Sequence, residues 1–174
     1  FCQLAGGPAL ADSMGQEGML AFLDSFFEQA EAEVRRFEGT VSSFLSDGLV
    51  ALFGVPVAHE DHARRGVLAA LGLQRRLRER SAPGTRGGDR AGSAAVLRMA
   101  LNTGLVAVSQ IGSGPERRLS VVGETTTVAG LLQQQAEPGT IVIGAATARM
   151  VTGYVRLVEL GPVPLPGMHG PVTA

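Results

Sequence analysis

The chain has 174 residues, 45% of them hydrophobic and 18% charged, which is enough apolar material for one domain with a sizeable core. Its 15 basic and 16 acidic residues are mixed along the sequence and leave a formal net charge of -1, which argues against both nucleic acid and a membrane surface as partner. Every basic residue is an arginine and Asn102 is the one asparagine, so chemistry that needs a lysine has none in this chain.

Taken in order, Phe1 to Ala5 reads as the end of a strand, with Gly6-Gly7-Pro8 as a turn after it. From Glu17 to Phe37 the residues Leu20, Leu23, Phe26, Phe27, Ala30 and Val34 recur at three- and four-residue steps, predicting a helix with one buried stripe. Thr40 to Leu45 and Leu49 to Phe53 follow as two short strands around Asp47-Gly48, a dipeptide that suits a tight hairpin because both positions tolerate positive φ. By that reading Asp47 shapes a turn; a carboxylate on a stiff hairpin is also a candidate ligand for Mg²⁺. A second amphipathic helix is predicted from Glu60 to Arg80, with Arg75, Arg76, Arg78 and Arg80 as a solvated end that complements the helix dipole.

The Gly-, Ser- and Pro-rich residues 81–93 predict a surface loop. Val96 to Thr103 and Leu105 to Ile111 read as strands joined at Thr103-Gly104, with a loop over 112–117 and a short apolar run from Leu119 to Val122. A helix is expected from Thr125 to Gln135, closed by Pro138-Gly139, and strands at Thr140 to Ile143 and Val155 to Leu160. The Pro-rich tail cannot be helical or central in a sheet. The order predicts an α/β (α+β) fold: a ferredoxin-like βαββαβ sheet with helices on one face and extra strands and helices C-terminal to it.

Local motifs exclude more than they assign. The histidines of His59-Glu60-Asp61-His62 lack the spacing of a zinc protease and suit a helix start. Gly112-Ser113-Gly114 lacks the Gly-Lys-Ser/Thr ending of a P-loop, and three histidines, two of them at one helix start, support no Ser-His-Asp triad. A single cysteine, Cys2, permits no internal disulfide. With no membrane-length apolar run and no leader pattern, a cytoplasmic location is expected.

Three segments, FEGTVSSFLSDGLVALFGVPVAHEDHARRGVLAALGLQ, LRMALNTGLVAVSQIGS and RRLSVVGETTTVAGLLQQQAEPGTIVIG, together resemble the class III adenylate/guanylate cyclase catalytic domain in order and spacing. The resemblance covers about 1–160, with the first strand cut short, and leaves 161–174 as a Pro/Gly-rich C-terminal extension similar to those that follow such domains in bacterial signalling proteins. It implies a nucleotide site shared across a dimer, in which two aspartates hold two metal ions, a lysine and a second polar residue read the base, and an asparagine and an arginine steady the transition state.

Carried over position by position, the first metal aspartate falls on Gln3 and the second on Asp47. The base-reading lysine falls on Ser43 and its companion on Ser120, while the asparagine falls on Thr127 and the arginine on Leu131. Gly6 and Gly7 keep part of the turn that would wrap a triphosphate, and Arg98 keeps a phosphate-contacting arginine. Removing one preorganised transition-state donor typically costs about 10²–10³ in rate, and two such positions and one metal ligand differ together. The expectation is a degenerate cyclase homology domain acting as a regulatory or dimerisation module, as a homodimer or with another cyclase-type domain. It would bind ATP, GTP or an analogue without turnover, with at most one Mg or Mn ion. The alternative is an active cyclase that forms cyclic nucleotide and pyrophosphate with atypical residues.

Overall fold

A computed structural model describes residues 1–80, 95–111, 118–168 and 170–174 of the chain. The expected loops over 81–93 and 112–117, and His169, lie outside the described residues.

The first strand, β1 (Cys2–Ala5), sits at the centre of a five-stranded sheet. Helix α1 (Gly7–Arg36) leads from it to β2 (Thr40–Phe44) and β3 (Gly48–Leu52), and α2 (His62–Arg80) then leads to β4 (Val96–Leu101). A hairpin of β5 (Ala107–Ile111) and β6 (Arg118–Val122) stands outside the main sheet. After it come α3 (Glu124–Gln135), β7 (Ile141–Ile143), α4 (Ala145–Val151) and a small ribbon of β8 (Pro162–Val163) with β9 (Val172–Thr173). The sheet order is β2-β3-β1-β4-β7, antiparallel except for the β4–β7 pair.

Alternation along the strands divides the two faces. Cys2, Leu4, Leu97 and Met99 point to one side and pack with Phe26, Ala30 and Val34 of α1 and Leu73 and Leu77 of α2. Ala100 points to the other, where Val128 and Leu132 of α3, Val142 of β7 and Leu165 of the tail form a second cluster. Each large side chain fully buried in this way contributes roughly 1.5–3 kcal/mol. The two helices of the βαββαβ unit therefore share one face, and α3 is an addition to the other.

Four expectations are corrected. Helix α1 begins ten residues before Glu17, because Gly6 at φ 75° turns the chain and Pro8 is tolerated in a first turn whose N–H groups need no intrahelical partner. Gly15, at φ 72° and ψ 171°, interrupts it, so the apolar period is seen only beyond that point. Val155 to Leu160 forms no strand: beyond one bridge between Thr152 and Val155 it pairs with no strand, and residues 156–160 are exposed, Val158 at 75%. The two segments around Thr103-Gly104 belong to different sheets. The arginines ending α2 are not all solvated, since Arg76 Nε meets the buried carboxylate of Glu33 at 2.7 Å and Arg80 donates to Ser25 Oγ.

Burial pushes the Cys2 thiol up to about 12. The unfolded chain deprotonates near 8.5 while the folded one does not, so this contribution to stability is intact below that pH and declines above it. Urea unfolding at pH 8 and pH 10 should show a loss of about 2 kcal/mol that Cys2→Ala removes.

Candidate functional site

Asp47 closes the β2–β3 connection, where Leu45 N–H donates to Gly48 C=O at 2.7 Å. Neither Asp47 nor Gly48 has positive φ, so the hairpin does not use the dipeptide as expected. Gly48 is instead the first residue of β3, directly opposite Gln3 of β1, and a Cβ on it would run into the carbonyl oxygen of Cys2. Leu4 N–H donates to the Asp47 carbonyl at 2.9 Å, which pins the turn to the central strand.

This close packing brings Gln3 and Asp47 together. Gln3 Nε2 donates to both carboxylate oxygens of Asp47, at 3.0 and 3.2 Å. The Gly6-Gly7 turn adjoins them, a Cβ on Gly7 falling 3.7 Å from Asp47 Oδ2. Arg98 lies opposite Gln3 in the register of β4 and leaves the sheet on the same face, its Nε buried without a hydrogen-bond partner. Four of the expected positions thus converge on one end of the sheet.

The others are arranged separately. Ser42 Oγ donates to Leu119 C=O at 2.7 Å and ties β2 to the β5–β6 hairpin. Ser43 and Ser120 flank the two ends of that bond and are half-buried. On α3, the hydroxyl of Thr127 lies 3.4 Å from the Gly123 carbonyl, and Leu131 packs against the apolar cluster of Val128, Leu132 and Val142. A cavity of about 550 Å³ is lined by residues of β3, β4 and α2, among them Val50, Leu52 and Leu101. It includes none of the expected site residues.

One residue was missed. Gln133 of α3 is only 6% exposed, and its Nε2 donates to Gln3 Oε1 at 3.0 Å. Its signal was its place four residues after Ala129 in the buried stripe of α3, a polar residue where the period asks for an apolar one.

The donor set does not fit the metal pair that the resemblance implies. A divalent ion at Asp47 needs oxygen lone pairs converging on it, and Gln3 presents N–H groups there. Among the described residues no group of three or more His, Cys, Asp or Glu could hold an ion.

The sheet order, with α1 and α2 on one face, defines a ferredoxin-like domain. The model of the adenylate and guanylate cyclase catalytic domain matches residues 1–173, and the chain belongs to that family. It is 24% identical over 177 residues to adenylate cyclase 1 of Rhizobium meliloti (strain 1021), covering the whole of this chain and 26% of that protein. The chain thus spans about a quarter of that relative's length. Among solved structures, the adenylyl cyclase CyaB from P. aeruginosa superposes with a TM-score of 0.86 at 19% identity, over 99% of this chain and 88% of the other. The guanylate cyclase domain of RhGC from Catenaria anguillulae, solved with GTP, gives 0.82 at 19% identity over 99% and 90%. These likenesses show the fold. Among the described residues no helix is long and apolar enough to cross a membrane.

Proposed function

We propose that the domain is a degenerate member of its family, serving as a regulatory and dimerisation module in a bacterial-type signalling protein. The observation that carries this reading is Leu131. The position that the resemblance assigns to the transition-state arginine holds a side chain with no donor, packed into the apolar cluster on α3. Nothing at that position could meet charge developing on a phosphate.

On this reading the cleft that the resemblance implies between two protomers keeps its shape without that chemistry. A nucleotide there would meet the Gly6-Gly7 turn and Arg98 at its phosphates, with Ser43 and Ser120 at its base. Such a site could report nucleotide by binding and couple it to the pairing of two domains, as a homodimer or with another cyclase-type chain.

The test is turnover. Purified protein incubated with ATP or GTP in Mg²⁺ or Mn²⁺ should form no more cyclic nucleotide than Asp47→Ala does. Product above that control would establish the active-cyclase reading instead. Sedimentation velocity should show self-association, or association with a cyclase-type partner domain.

A further inference from the structure

An aspartate carboxylate only accepts hydrogen bonds, so the end of the Gln3 amide that faces Asp47 must be the NH₂. That leaves Gln3 Oε1 on the far side, where Gln133 Nε2 meets it at 3.0 Å. The two amides run in one direction, from Gln133 to Gln3 to both oxygens of Asp47. Asp47 gives the relay its sense, and because a buried amide left unpaired is costly, Gln133 keeps the Gln3 carbonyl oxygen paired. Arg98 emerges from the same face beside Gln3.

We propose that Gln133 and Gln3 form an amide relay that occupies Asp47 in place of a divalent cation. Gln3 is the group that excludes the ion, and Gln133 is a positioning residue that pairs the Oε1 end of the Gln3 amide and so holds it in the sense that Asp47 sets. An ion approaching Asp47 must displace Nε2 from both oxygens and strand the amide between a cation and Gln133. This goes beyond the regulatory reading and does not depend on it: it concerns what Asp47 holds, not whether nucleotide is turned over.

The experiment titrates the purified chain with MnCl₂ and reads free Mn²⁺ by electron paramagnetic resonance. Wild type and Asp47→Ala should give the same curve, while Gln3→Asp should bind at least tenfold more tightly than wild type and lose that gain when Asp47→Ala is added. In parallel, the Gln3 side-chain amide is followed by ¹H–¹⁵N NMR. Its resonances should move in Gln133→Glu, whose carboxylate competes for the NH₂, and in Asp47→Asn. Stoichiometric Mn²⁺ binding by wild type that Asp47→Ala abolishes would overturn the relay, as would a Gln3→Asp variant that melts like wild type and gains nothing. Gln3 resonances indifferent to Gln133→Glu would overturn the positioning role. Should Gln3→Asp not fold, the comparison of wild type with Asp47→Ala and the NMR decide. Mn²⁺ at Asp47 without cyclic nucleotide would remove the relay and leave the regulatory reading standing.

Discussion

Gly48→Ala should abolish or severely weaken folding, although glycine to alanine is among the smallest of substitutions. The new Cβ would overlap the Cys2 carbonyl oxygen and come within 2.9 Å of Gln3 Cα, both backbone atoms of the central strand that cannot rotate away. Overpacking commonly costs about 1–3 kcal/mol when side chains can adjust, and here only a strand can move, so the upper end or beyond is expected. Gly6→Ala is the control. It meets no atom within 4 Å but holds φ at 75°, so its cost is the left-handed backbone term of about 1–2 kcal/mol. Urea midpoints should separate the two clearly. Equal losses would mean that strand packing does not govern Gly48.

The second large effect comes from Glu33, a carboxylate 2% exposed between α1 and α2. Arg76 Nε meets its Oε2 at 2.7 Å, and Arg36 reaches its Oε1 only at 3.5 Å. Arg76→Met should cost about 3 kcal/mol, because it leaves a buried charge without its close partner. Replacing both residues, Glu33→Met with Arg76→Met, should restore most of the loss, since a well-packed apolar pair matches or exceeds a buried ion pair in stability. A double-mutant cycle in urea measures the coupling, and a double variant no more stable than Arg76→Met alone would refute this account.

Particular residues show how far the sequence carried. The stripe Phe26, Ala30 and Val34, and the α2 positions Leu73 and Leu77, are spaced as helices require and bury as expected. The opening of α1 was hidden because Gly7, Pro8 and Gly15 have poor helix propensity, and their tolerance follows from a first turn and a break that only coordinates display. Val155 to Leu160 looked like a strand by its apolar content, but a strand also needs a partner edge, and pairing is not written locally. At the site, the meeting of Gln3, Asp47, Gly7 and Arg98 could be anticipated through the family resemblance. For Gln133 the helical period points to burial but not to its partner, since Gln3 lies 130 residues away and their meeting depends on how α3 packs on the sheet.

Gly15 gives α1 a property that its length alone conceals. The helix is two rods meeting at a kink, since φ 72° and ψ 171° is a setting that only glycine adopts without strain. The long rod is bolted to α2 and the sheet through Phe26, Ala30 and Val34; the short one starts at the Gly6-Gly7 turn beside Asp47 and is anchored by Leu10. Both rods therefore rest on the same apolar cluster, the short one through Leu10 and Met14. Seating both rods on one cluster fixes the angle at Gly15, so the turn beside Asp47 is held by the same core that holds the sheet.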